Sequence, residues 1–294
     1  MDFFKRFFTK SKPTVVEGVK TAPLDPRALH TTSDLPLAQR LILGMAQSAG
    51  MERTHNEDAL FALLGASAGE EAMPEFGLFI VADGMGGHRS GEMASSISTR
   101  TVAHRLTRDA LLRMMESDNR AEMPPLQDVV RTALEEANQL VVERVPGGGT
   151  TLTVAVLLGQ QITFGHVGDS RAYLIRPDQT KVITRDHSLV KRLEELGQLT
   201  PEEAELHPQR NVLYRAIGQG ANLEVDVLSL PVTYGSHLML CSDGLWGVIS
   251  DKELERIVLT ASDPQSACDK LVAAANAAGG PDNITALIVY FPPR

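Results

Sequence analysis

Four aspartates stand at the ends of apolar runs in this chain. They are Asp83 in "FGLFIVADGMGGH", Asp169 in "ITFGHVGDSRAYL", Asp243 in "HLMLCSDGLWG" and Asp282 in "GGPDNITALIVYF". A buried lone carboxylate costs several kcal/mol unless something pairs with it. One such site is an ordinary Asp-Gly turn, and Asp282-Asn283 alone reads as a turn cap. Four in one chain, joined by Glu57-Asp58 and Asp186, suggest carboxylates converging on something positive. The eight histidines never fall in HxH or HExxH spacing, so the donor set is oxygen. Oxygen donors without imidazole or thiolate select hard cations, magnesium or manganese.

Other chemistries are poorly supported. The glycines of "DGMGGHRSGE" lack the GxxxxGK[ST] phosphate loop, and Arg89 stands where GxGxxG needs its third glycine. "VPGGGTTLTV" reads as a turn into a strand. A formal charge of −9 gives no footprint of a nucleic-acid binder. The two cysteines, Cys241 and Cys268, lie far apart in apolar contexts. They read as buried thiols of a reducing compartment, which places the protein in the cytoplasm.

The elements that must position these carboxylates lie beyond residue 38 of the 294. Strands are expected over 40–48, 76–82, 151–158, 162–167, 171–176, 180–184, 237–242 and 284–291. Long helices are expected over 90–116 and 126–143, the second with Leu126, Val129, Val130, Ala133, Leu134, Ala137, Leu140 and Val141 on one face. Thr200 and Glu203 form a capping box around Pro201, and Ser250 with Glu253 repeats it. Asp186-His187-Ser188 reads as the cap of a following helix, and 264–278 as a helix stopped by Gly279-Gly280. Short turns between the strands of 151–184 imply hairpins in an antiparallel sheet covered by helices, an α+β fold. Residues 1–37, beginning "MDFFKRFFTKSK", lie outside this core. They read either as a disordered tail or as an amphipathic segment that docks on a membrane surface or a partner.

The motifs "SAGMERTHNED", "VADGMGGHRSGE", "GGGTTLTVAVL", "GHVGDSRAYLI", "ITRDHSLVKRLEELGQLTPEEAELHPQRNVLYRAIG", "LCSDGLWGVIS" and "GGPDNITALIV" fall in order over residues 40 to 291. Together they resemble the metal-dependent serine/threonine protein phosphatases, the PPM (type 2C) family, in its bacterial form. The resemblance implies a four-layer αββα sandwich of two antiparallel sheets flanked by helices, with a site for two Mn2+ or Mg2+ ions at one end. It implies that Asp83 bridges both ions, that the Gly84 carbonyl joins one, and that Asp243 and Asp282 complete the other. Glu57 and Asp58 would act through bound waters, and Asp169 with Asp243 would hold a labile third ion. Arg53 would grip the phosphate, and Asn283 would orient what Asp282 holds. The partners implied are phosphorylated proteins, including Ser/Thr kinases and their substrates, with the enzyme a monomer. Animal members carry a histidine directly after the Asp-Gly pair as a general acid. Here that residue is Met85, a thioether, so His88 becomes the candidate acid and a bound water its rival.

Two other readings compete. One is a regulatory or scaffolding member that kept the fold, against which the intact Asp83, Asp243, Asp282 and Arg53 argue. The other is a two-metal phosphoesterase for small metabolites, against which stands the long polar segment 186–217, similar to the family's flap and suited to a protein substrate.

Overall fold

The computed structural model describes residues 41–67, 73–87, 89–115 and 124–293. Two five-stranded antiparallel sheets stack face to face. The first contains β1 (Ile42–Ser48), β8 (Arg171–Arg176), β9 (Gln179–Val182), β11 (Ser236–Cys241) and β12 (Ile284–Phe291), in the order β1-β12-β11-β8-β9. The second contains β2 (Ala59–Gly65), β3 (Phe76–Ala82), β6 (Leu152–Leu158), β7 (Gln161–Val167) and β10 (Asp226–Pro231), in the order β10-β7-β6-β3-β2. A two-stranded ribbon joins β4 (Gly84–Met85) to β5 (Gly149–Thr150).

Helices cover both outer faces. α1 (Arg89–Leu106) and α3 (Leu126–Arg144) lie on the second sheet, while α7 (Asp251–Thr260) and α8 (Pro264–Ala277) lie on the first. α1 runs through a π-helical turn, Thr107–Leu112, into α2 (Arg113–Met115). Three short helices complete the set: α4 (Leu189–Glu195), α5 (Pro201–Glu205) and α6 (Asp243–Trp246). The expected four-layer αββα sandwich is the architecture found.

The layers explain why the strand sequences are apolar without alternation. In β3, Phe76, Leu78, Ile80 and Ala82 pack under α1 and α3, whereas Phe79 and Val81 face the other sheet. β12 does the same, with Ile284, Ala286 and Ile288 under α8 and Leu287, Val289 and Phe291 between the sheets. A sheet buried on both faces has no polar side to alternate with. The two strands missing from the sequence reading, β2 and β10, are the outer edges of one sheet, and most of their residues are only half-buried.

Two further expectations are corrected. The strands of 151–184 do not form one sheet. β6-β7 is a hairpin of the second sheet and β8-β9 a hairpin of the first, so the chain changes sheet at Gly168-Asp169-Ser170. The capping box at Thr200 and Glu203 is complete, but its repeat at Ser250 is half made. Ser250 accepts the Glu253 N–H, whereas the Glu253 carboxylate forks onto Arg256. Ser188 does cap a helix, α4, which the sequence reading left without a span.

Candidate active site

Strand direction gathers the carboxylates. Asp83 directly follows β3, Asp169 and Asp243 lie two residues beyond the ends of β7 and β11, and Asp282 lies two residues before β12. Glu57 and Asp58 immediately precede β2, which pairs antiparallel with β3 so that Ala59 lies opposite Ala82. All six therefore lie at one end of the sandwich, contributed by both sheets.

Asp83 is fixed through its backbone. Its N–H donates to Thr151 Oγ1 at 2.9 Å, and its carbonyl accepts from Thr150 Oγ1 at 2.8 Å and Thr151 N at 2.9 Å. Thr151 Oγ1 also bonds Ser170 Oγ at 2.7 Å, tying this turn to the sheet crossing. Sequence reasoning took Thr150-Thr151 as a mere entry to a strand. Two adjacent hydroxyls at a strand start were the available signal. Gly84 is required by crowding, since a Cβ there would lie 2.4 Å from the Gly91 carbonyl oxygen and 2.5 Å from that of Glu57. The turn that follows depends on Gly86 at φ +114°.

Asp58 is 9% exposed. Its Oδ2 accepts from Thr285 Oγ1 at 2.6 Å and Ser242 Oγ at 2.8 Å, while the buried Oδ1 has no hydrogen-bond partner among the described residues. Asp169 sits under Trp246, whose indole N–H donates to its carbonyl at 3.1 Å. Arg171 stacks on the same indole at 3.6 Å and forks onto Asp186, the shortest contact 2.7 Å. Asp186 is thus a structural partner of Arg171.

Asn283 does more than orient Asp282. Its N–H donates to Asp282 Oδ1 at 2.8 Å, but its side chain clamps the loop that carries Arg53 and Glu57. The amide donates to Ala49 O at 3.0 Å and His55 O at 2.8 Å, and Oδ1 accepts the Glu57 N–H at 2.7 Å. Arg53 is 52% exposed, and its Nη2 donates to Asp282 Oδ2 at 2.8 Å. That bond uses one of five guanidinium donors and leaves the others facing solvent. His88, the candidate acid, lies outside the described residues.

Burial and mutual repulsion hold these carboxyls toward their protonated forms. Burial pushes the Asp58 carboxyl up to about 7, and Asp243 and Asp282 push the same way against the Thr285 and Ser242 bonds. Burial also holds Asp83 well above the usual carboxylate range, reinforced by Asp58, Asp243 and Asp169. Asp169 is raised by burial and by Asp243, and Asp243 by burial and by Asp282. Asp83 and Asp243 lie close enough that the charge of Asp243 raises the Asp83 carboxyl further. Among the described residues no three acidic, imidazole or thiol groups already surround one point. Asp282 is turned to Arg53. The residues nevertheless fit hard divalent cations: the donors are oxygen, Asp58 Oδ1 has no partner among the described residues, and a cation would offset the repulsion between the carboxylates.

A two-sheet sandwich with clustered carboxylates at one end defines a protein phosphatase fold, and the comparisons agree. The sequence model described as "Protein phosphatase 2C" matches residues 52–276. The chain belongs to that family. It is 35% identical over 246 residues to the serine/threonine phosphatase Stp of Listeria innocua, covering 82% of this chain and 92% of that protein. The crystal structure of the serine/threonine phosphatase PstP/Ppp of Mycobacterium tuberculosis is similar with a TM-score of 0.70 and 30% identity, covering 86% of this chain and 99% of that one. The catalytic domain of PstP in complex with two manganese ions is similar with a TM-score of 0.67 and 29% identity, covering 85% and 99%.

Proposed function

We infer that the protein hydrolyses phosphoserine and phosphothreonine esters on other proteins with two Mn2+ or Mg2+ ions, reversing bacterial Ser/Thr kinase signalling in the cytoplasm. The observation that carries this reading is the set of buried carboxylates that raise one another's pKa at the shared end of two sheets. Such repulsion is costly in an empty protein and useful in one that binds cations. Asp83, Asp243 and Asp282, with the Gly84 carbonyl, would hold the two ions. Glu57 and Asp58 would order the surrounding water, and Asp169 with Asp243 would hold a labile third ion.

Bound divalent cations would supply hydroxide at neutral pH and offset the charge of a phosphate dianion. The rest falls to the chain. Arg53 reaches solvent at the rim of the site, where a planar guanidinium suits two phosphate oxygens at once. Its remaining donors would meet the phosphate, while its single bond to Asp282 competes with a cation for that carboxylate. As the hydroxide oxygen bonds to phosphorus, the P–O bond to the seryl oxygen would break, and the departing oxygen would take a proton from His88 or from water. No helix among the described residues is long and apolar enough to cross a membrane.

The test is turnover of phosphoserine peptides with added manganese, with chelator, and in the Asp83→Asn variant. Hydrolysis that needs the metal and disappears in the variant supports the assignment. Unchanged hydrolysis in Asp83→Asn overturns it.

A further inference from the structure

A recess of about 540 Å³ is lined by Arg185, Arg192, Tyr214, Arg215, Asn222 and Glu224. Its wall bears three guanidinium groups against one carboxylate, on a chain whose formal net charge is −9. The other counter-charges are already committed. Glu195 is forked by Arg185 and leaves Arg192 only a 3.6 Å contact. Asp226 faces His187 at 3.2 Å and Arg215 at 2.8 Å. Glu224 pairs with Arg215, but its side chain is 79% exposed. An ion pair that open to water holds weakly, so an incoming anion displaces Glu224 at little cost.

Strand register places the recess relative to the catalytic carboxylates. Asp226 starts β10 opposite His166 on β7, one residue short of the strand end that leads to Asp169. Val167 pairs with Leu152 on β6, and Thr153 with Val81 on β3, two residues before Asp83. The recess therefore lies at the same end of the sandwich as the active site. Three strand spacings separate β10 from β3, a lateral distance of roughly 14 Å. An extended peptide rising about 3.3 Å per residue covers that in roughly four residues.

Between the two sites stands the flap base. His187 Nδ1 accepts the Gly168 N–H at 3.1 Å, its own N–H donates to Gly168 O at 2.8 Å, and its carbonyl accepts from Tyr214 N at 3.0 Å. One buried histidine thereby fixes both the turn before Asp169 and the leg of chain that carries Tyr214 and Arg215 into the recess.

We propose that this arginine recess is a second anion subsite, which binds an acidic residue of the substrate protein about four residues from the phosphoserine under hydrolysis. It rests on the protein-phosphatase reading and narrows it to substrates with a second negative group, either a carboxylate side chain or another phosphate. Arg192 is the main contact because its guanidinium is the least committed of the three. Arg215 is freed toward the ligand as Glu224 swings out.

The experiment compares kcat/KM for phosphoserine peptides that carry alanine, glutamate or a second phosphoserine at each position within five residues of the reacting group. The expected result in the wild-type enzyme is a gain of about tenfold, expressed in KM, for an acidic group near the fourth position on one side, as for a charge-assisted bond at a half-exposed site. Glutamate and phosphoserine arms separate the two sources of charge. In Arg192→Ala the ratio of acidic to alanine peptide should fall toward one, and in Arg192→Glu it should invert in favour of a lysine peptide. Arg192 is 52% exposed, so neither change endangers folding. No positional preference in wild type, or a preference that survives Arg192→Glu, overturns the subsite while leaving hydrolysis of the alanine peptide to support the phosphatase reading. Failure to hydrolyse any peptide or p-nitrophenyl phosphate overturns both.

Discussion

Asp83 is pressed by burial and by three other carboxylates, Asp58, Asp243 and Asp169. Removing that charge has opposite effects with and without metal. Asp83→Asn should abolish turnover, yet in chelator the variant should melt above chelated wild type, because less repulsion is folded in. Calorimetric melting of both proteins with and without EDTA checks this, and a lower melting point in EDTA would contradict it. Arg53 makes a different prediction. Arg53→Ala should raise KM by about ten- to a hundredfold, as for a charge-assisted bond lost without a partner. Metal titration should show affinity unchanged or tighter, since Asp282 loses its competitor. His88 is tested by leaving group. If it is the acid, His88→Ala should slow a phosphoserine peptide at least tenfold and spare p-nitrophenyl phosphate, whose leaving group needs little help.

On the proposed function, the flap and the crossing turn would couple the site to its substrate. Asp169 lies in that turn, held by Trp246 and by the hydroxyl chain from Thr151 to Ser170. Asp169→Ala should leave two ions bound in a titration while turnover falls. Changes within 188–210 should shift preference among phosphopeptides more than activity on an aryl phosphate, and equal losses on all substrates would assign that segment to the core. The element pattern was legible in the sequence where burial was two-sided. β3, β6 and β12 announced themselves as unbroken apolar runs. The half-buried edges were missed: β2, ALFALLG, is an apolar run with every residue only partly buried, and β10, DVLSLP, carries neither a run nor a clean alternation. The carboxylates were legible through their repeated placement at strand ends. Thr150, Ser242 and Thr285 were not, since a hydroxyl that fixes a carboxylate looks like any strand threonine or serine until register is known.

At the scale of the molecule, the carboxylates set the pH response. The Asp58 carboxyl moves from an ordinary 3.8 to about 7 on folding, so its burial costs nothing while it is protonated in both states. The cost grows as pH rises from about 4, where the unfolded chain ionises, and is complete above about 7. Asp226 acts oppositely. Its His187 bond lowers it to about 2, so it contributes stability above its ordinary value that is lost as pH falls toward 2. Chelated protein should therefore be most stable near pH 4 to 5 and lose melting temperature toward pH 7.5, and manganese should reverse that slope. A chelated protein that gains stability from pH 5 to 7.5 would refute the account. Deleting residues 1–36 should leave catalysis intact, and a large loss of turnover would move the domain boundary.

β1 has one hydrogen-bonding neighbour in its sheet, β12, and β12 also separates it from β11. The first described strand thus waits for the last. During synthesis the ribosome must release residue 291 before β1 finds a partner, and a pairing across some 240 positions closes slowly. Until then the segment carrying Arg53, Glu57 and Asp58 has no Asn283 to clamp it, and Asp282 has no strand behind it. On the proposed function, a nascent chain stalled anywhere short of β12 should be catalytically silent, however much of its second sheet has formed. Emergence of β12 would then act as an on-switch, thrown once per molecule during translation.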